Sequence, residues 1–409
     1  MVPFLAAFLL LSSAPEWRPW SPRPEIAPRI SKDANAGTLQ LEGGGNPGVF
    51  GGWEAVFPNL RPGQWYRFVA RYRATGLTDE SRQVVARLDW LSDAGKRTGQ
   101  PDYAWRVTAT PEGRLVTLDA PAPSSATAAK AQLLLVNAPQ AKVEWSAIRF
   151  DAIDTPKPRP VRVAAVRYHP NGADPVSRFI ELVNTQVTAP TDVILLPEGV
   201  TVVGTGKKYG DVAEPLPGPT TQKLGDLARR KNAWIVAGVY EREGTLIYNT
   251  AVLIDRSGRL AGKYRKVYLP REEYEGGITP GADYPVFETD FGRVGLMICW
   301  DVQYTDPARA LALRGAELIL LPIWGGSEPL AKARAIENHV FLASSGYDFP
   351  SLIYDPAGEL LGRSEIDATV VSATLDFNRR YLDTWLGDMR GRLFKEVRGD
   401  VPVLPGLGR

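Results

Sequence analysis

FGRVGLMICWD, residues 291–301, carries the only cysteine of the 409-residue chain to the end of an apolar run. Arg293 to Ile298 is too short and too uniformly apolar for a half-exposed helix, and it predicts a buried strand of a covered sheet. Beyond Trp300 and Asp301 a loop leads into DPARALALRG. There Asp306 as N-cap, Pro307 at the first helical position and Gly315 as the stop predict a helix. The next stretch, ELILLPIWG (317–325), is apolar again. Strand, helix and strand form a βαβ unit, which crosses over right-handed onto a parallel sheet. Cys299 then stands at the carboxyl end of its strand, where open α/β sheets place their chemistry. An unpaired cysteine is more often an inert core residue. A catalytic reading therefore needs partners elsewhere in the chain.

The length argues for two domains. With 44% hydrophobic and 23% charged residues the composition is that of a globular protein, and a net charge of +2 gives no reason to expect nucleic acid or an anionic membrane as partner. One cysteine excludes an intramolecular disulfide, and two histidines leave little material for a metal site, so no metal and no cofactor is expected. Any Cys-His or Ser-His-Asp mechanism would have to use His169 or His339. Neither sits at a strand end beside the cysteine motif. Some other group must act as base.

MVPFLAAFLLLSSA, residues 1–14, has an apolar core ending in small residues, which fits a secretory h-region although no positive n-region precedes it. It is too short to span a bilayer as a helix. The expected location is secreted or periplasmic, the alternative being an apolar arm on a cytoplasmic protein. Residues 1–29 thus read as a signal peptide and proline-rich lead. From 30 to 155, WYRFVARYRA, RQVVARLDWLS and AQLLLVNAP are β-branched and aromatic runs between Gly, Pro, Asp and Ser turns, and they predict a β-sandwich. Trp53, Trp65, Trp90, Trp105 and Trp145 are either a sugar-stacking platform or, as is commoner in small sandwiches, core. The segment resembles jelly-roll modules of the carbohydrate-binding type in strand rhythm and aromatic content, which makes a glycan a possible partner. Pro156, Pro158 and Pro160 stiffen a linker. From 156 to 409 strands alternate with helices (PVSRFIELVNTQVT, QKLGDLARRKN), and a hairpin turns at Arg256-Ser257-Gly258. This pattern predicts an α/β domain with a covered sheet.

Two further segments end strands. DVILLPEG leaves Glu198 just past a run apolar on both faces, where an ionised carboxylate is costly unless paired. GKYRKVYLP places Lys266 after the hairpin. A carboxylate to take the thiol proton, a thiolate to attack a trigonal carbon and a cation to meet the developing negative charge are what acyl transfer without histidine requires. Glu198, Cys299 and Lys266 supply them.

LLPEG, YRKVYLP and GLMICWD resemble, in order and spacing, the three catalytic motifs of the nitrilase superfamily of carbon-nitrogen hydrolases. The likeness extends over about 161–385 and includes YNTAVLIDRSGRLAGKYRK, RAIEN and SLIYDPAGELLGRS. It implies a four-layer αββα sandwich, a Glu-Lys-Cys triad and a homodimer or higher oligomer. It also implies a second glutamate near the lysine, for which REEYEGGITPG offers Glu275 and, as alternate, Glu273. Glu275 is preferred for its spacing to Thr279-Pro280-Gly281. The backbone N–H of Trp300 is assigned to the oxyanion, and Tyr268 and Trp324 to the pocket. Tyr268 stands where many members have histidine, and Gln303 where many have arginine. The activity expected is hydrolysis of a small linear amide through a cysteine thioester. The alternatives are a nitrile or N-carbamoyl hydrolase, an acyl transferase of the same fold, or a catalytically silent glycan-binding protein.

Overall fold

A computed structural model describes residues 15–399 and 401. The secretory reading of residues 1–14 lies outside the described residues. The described residues form two compact units, one made of those up to Pro156 together with those from Leu382 on, the other comprising Lys157–Tyr381.

In the first unit two antiparallel sheets, of five and six strands among the described residues, share one apolar core. The strand Trp65–Thr75 shows why: Tyr66, Phe68, Ala70 and Tyr72 point inward, while Arg67 and Arg73 are exposed on the other face. Trp53, Trp90 and Trp145 are buried in that core. The indoles of Trp53 and Trp90 donate to Gln40 O and Asp102 Oδ2 at 3.2 and 2.7 Å. These three tryptophans are core and not a stacking platform.

Two boundaries differ from the sequence reading. Arg18–Trp20, within the expected proline-rich lead, pairs with Phe50–Phe57 as an edge strand. The segment after Tyr381, expected with the hydrolase, packs on the first unit through the helix Met389–Glu396. Phe394 stacks on Trp105 with centroids 4.7 Å apart, and the buried Lys395 Nζ donates to Ser81 O and Val84 O.

The second unit contains, among the described residues, two six-stranded sheets. In one, Pro160–Arg167, Val193–Leu195 and Trp234–Glu243 run parallel, flanked by antiparallel strands. In the other, Arg293–Leu296, Leu318–Pro322 and Phe341–Ser345 do the same. The parallel strands of the two sheets face each other. Pro175–Gln186 and Pro219–Lys231 cover the first sheet, and Asp306–Leu313 and Glu328–Asn338 cover the second. The order of layers is therefore α, β, β, α, as an α/β domain with covered sheets requires. Helix Asp306–Leu313 begins one residue earlier than the sequence suggests, with Thr305 as N-cap and Asp306 inside the first turn.

The outer face of the first sheet is sealed by Phe179 and Val183 from one helix and Leu224 and Leu227 from the other, against Ile194, Ile235 and Val252. Phe179 is fully buried. Phe179→Ala should lower unfolding stability by about 3–5 kcal/mol, read from the midpoint shift in urea denaturation; a loss under about 1 kcal/mol would contradict this packing.

Candidate active site

The site assembles where strands of the two sheets end. Val193–Leu195 stops after three buried residues, and Leu196-Pro197-Glu198 carries the chain off the sheet. Gly199 turns it with φ +60°, a left-handed conformation that suits glycine. Beneath this turn Gly238 donates to Pro197 O and accepts from Val200 N–H. A Cβ at Gly238 would lie 2.6 Å from Glu198 Cα. The missing side chain is what lets Glu198 sit this low.

Glu198 Oε1 is 2.9 Å from Lys266 Nζ, and both side chains are almost fully buried. Lys266 leaves the strand Leu260–Arg265 with its N–H donating to Asn249 O at 2.8 Å. Its neighbours Lys263 and Arg265 pair instead with Glu241, so the three cations divide between two carboxylate clusters. Glu273 completes the inner cluster, with Oε2 2.9 Å from Lys266 Nζ in an ion pair rather than an aligned hydrogen bond. Burial alone would push the Lys266 ammonium down, but the charges of Glu198, Cys299 and Glu273 outweigh it and hold its pKa above the ordinary lysine range. Burial raises the carboxyl of Glu273, with Lys266 opposing and Glu198 adding to the rise.

Of the two glutamates proposed from sequence, Glu273 is therefore the one at the site, and Glu275 is not. Both lie on the short helix Arg271–Glu275. Two residues on a helix subtend about 200°, so the pair cannot face one side. Glu273 is buried, whereas Glu275 pairs with Arg271 at 2.8 Å on the outer face.

Cys299 follows the strand Arg293–Leu296 and opens a short 3-10 turn, Cys299–Gln303. Its φ is +40°, which a residue with a Cβ rarely adopts. Such strain persists only where surrounding contacts impose it, and it clusters at functional sites. Here Asp301, fully buried, accepts from Ile298 N–H at 2.9 Å and Tyr264 OH at 2.7 Å, and from Tyr268 N–H at 3.0 Å. These bonds tie the cysteine turn to the lysine segment. Burial pushes the Asp301 carboxyl up to about 6 against the pull of those donors.

Cys299 Sγ is 3.5 Å from Gly325 O. Its thiol is pushed up to about 12, by burial first and the negative charge of Glu198 second, while Lys266 pulls the other way. The Trp324 backbone also meets this thiol, and its indole packs against Tyr347 with centroids 4.7 Å apart. Tyr347 OH in turn donates to Glu198 O at 2.8 Å. Trp324 is thus part of the site. The side chain of Trp300 is 38% exposed. Tyr268 turns to Asp306 at 2.5 Å and stacks on Tyr304, its link to the cysteine running through Asp301. His169 packs against the rings of Trp324 and Tyr347. Asn249, Gly238, Asp301 and Tyr347 were not singled out from the sequence. The signal for Asn249 is a polar residue in the apolar strand Leu246–Ile254.

The sequence model of the carbon-nitrogen hydrolase family matches residues 162–382. The chain belongs to that family. Among curated proteins this carbon-nitrogen hydrolase is 27% identical over 260 residues to omega-amidase NIT2 of Homo sapiens, covering 56% of this chain and 91% of that one. It is 33% identical over 241 residues to a nitrilase of Pyrococcus abyssi, covering 53% and 90%. A solved amidase from Nesterenkonia sp. aligns at 24% identity and a TM-score of 0.48, covering 54% of this chain and 93% of the amidase. All three alignments cover a little over half of this chain.

A thiol raised to about 12 is protonated in the resting protein, and its thiolate fraction grows with pH up to that value. Alkylation of Cys299 by iodoacetamide in the absence of substrate should therefore accelerate about tenfold per unit from pH 7 to 10. A rate already level below pH 8, measured by mass of the adduct, would show that the thiolate is preformed.

Proposed function

We propose that the protein hydrolyses small linear amides through a thioester on Cys299, with Glu198 as base and Lys266 as oxyanion partner. The observation that carries this reading is the convergence of one buried ammonium on two buried carboxylates, with the charges of Glu198 and Lys266 acting on a strained cysteine. No fold needs such a cluster for stability, since buried ion pairs contribute little net.

In the proposed sequence Glu198 takes the thiol proton as Sγ bonds to the carbonyl carbon, and the former carbonyl oxygen becomes an oxyanion. An ammonium has three N–H donors, and Lys266 spends one in an aligned bond to Glu198. Another is left for the oxyanion, beside the N–H of Trp300. The carbon-nitrogen bond then breaks and Glu198 returns the proton to the leaving amine or ammonia. Water, deprotonated by Glu198, attacks the thioester and releases the acid and the thiol. Glu273 holds the lysine from its far side.

The name of the omega-amidase relative supports an amide substrate with water as acceptor, and the name of the nitrilase relative supports a nitrile as the alternative. We also propose export, from the apolar stretch 1–14, and assembly as a homodimer or larger, from the family resemblance. The first unit, proposed as a jelly-roll-like β-sandwich, gains no support for glycan binding from its tryptophans, because three of the five are core.

Cys299→Ala should abolish ammonia release from amides while leaving the fold intact, and wild-type enzyme quenched during turnover should carry the acyl group on Cys299. Lys266→Ala should lower kcat by at least about 10²-fold, as removal of an oxyanion donor does. Full turnover in Cys299→Ala ends the proposal. Glu273→Gln should be strongly impaired and Glu275→Gln close to wild type in kcat/KM; the reverse order would return the second glutamate to Glu275.

A further inference from the structure

We propose that Asn249 is a positioning residue that lets Glu198 and Glu273 remain charged side by side on one lysine. The proposal rests on the reading of Glu198 as base. Asn249 is fully buried in the strand Leu246–Ile254. Its Nδ2 donates to Glu198 Oε1 at 2.7 Å and to Glu273 Oε1 at 2.5 Å. An amide NH2 has two hydrogens, so both are committed, one to each carboxylate. Asn249 Oδ1 has no hydrogen-bond partner. The two carboxylates therefore fix the orientation of the amide, and a flip would press its oxygen against both.

The charge count explains why a neutral donor belongs there. Two buried carboxylates facing one ammonium repel each other, and such pairs drive one member to bind a proton. The other ionisable groups coupled to this cluster include Cys299, Tyr209, Tyr240, Tyr347 and, through Lys266, the buried Asp301, and none of these is cationic. Asn249 gives each carboxylate an N–H without adding a fourth full charge. Its carbonyl oxygen meanwhile accepts from Lys266 N–H. One residue thus sets the lysine backbone and both acid side chains, and it acts on the reaction only through them.

Asn249→Asp keeps the size and replaces the shared donor with a third acceptor. In the pH profile of kcat/KM for a small amide, its acid limb should move up by at least about one pH unit, with activity partly regained at higher pH. Asn249→Asp with Glu273→Gln, which removes one competing carboxylate, should bring the limb back toward wild type. A role in packing alone would lower kcat at every pH and leave the limb in place, and that result overturns the proposal. If Asn249→Asp does not fold, Asn249→Ser, whose one hydroxyl reaches at most one carboxylate, must move the limb in the same direction; an unmoved limb there is equally decisive. Glu198→Gln separates the two readings: wild-type turnover in that variant would remove the base assignment itself, whereas its inactivity together with an unmoved limb in Asn249→Asp overturns only the role of Asn249.

Discussion

One lysine ammonium buried between two glutamates sets the terms for the rest of the second unit. Removing one partner from a buried ion pair leaves an uncompensated charge, at a cost of about 3–5 kcal/mol, so each member must be delivered accurately by the backbone. The delivery comes from three places. A strand of only three residues ends beside Glu198, the Leu246–Ile254 strand registers Lys266 through Asn249 O, and a five-residue helix turns Glu273 inward. The covered sheets supply the low dielectric that makes these charges strong, and the same burial makes any unpaired one expensive.

Cys299 depends on that cluster and on a second anchor. Its positive φ is held by Asp301, whose carboxylate collects two backbone N–H groups and the Tyr264 hydroxyl. Because Tyr264 and Tyr268 flank Lys266 in sequence, Asp301 locks the Cys299 turn to the Lys266 segment. A shift in either would be transmitted to the other through a group that is itself fully buried.

Much of this was legible in the chain. Apolar runs ending in Glu198 and Cys299 predict strands with functional ends, and the alternation of strands with amphipathic helices predicts the covered sheets. What the one-dimensional pattern missed has physical causes. Glu275 was preferred over Glu273 on distance to the next motif, whereas the helical period decides which of the two faces inward. Arg18–Trp20 became an edge strand although its flanking prolines suggested a lead, since an edge strand tolerates proline. The helix Met389–Glu396 belongs to the first unit because Phe394 and Lys395 find partners in Trp105 and the backbone around Ser81, a long-range pairing that no local periodicity encodes. Asn249 bridges two residues 51 and 24 positions away in the chain, and such a relation appears only after folding.

The neutral thiol gives the cluster a consistent charge history. With the Cys299 thiol raised to about 12 and both glutamates charged, as proposed, the resting site carries one ammonium and two carboxylates, a net charge of −1. In the proposed mechanism Glu198 takes the proton as the oxyanion forms, so one carboxylate charge disappears and one oxyanion charge appears, both against Lys266. The net charge stays at −1. A preformed thiolate would instead put a third anion beside one cation in the resting state, with a desolvation cost that burial of the sulfur makes large. In that proposed mechanism, keeping the thiol protonated until substrate arrives lets Lys266 transfer its stabilisation from Glu198 to the oxyanion at the moment the charge moves, so the interaction is strongest in the transition state, where it accelerates the reaction.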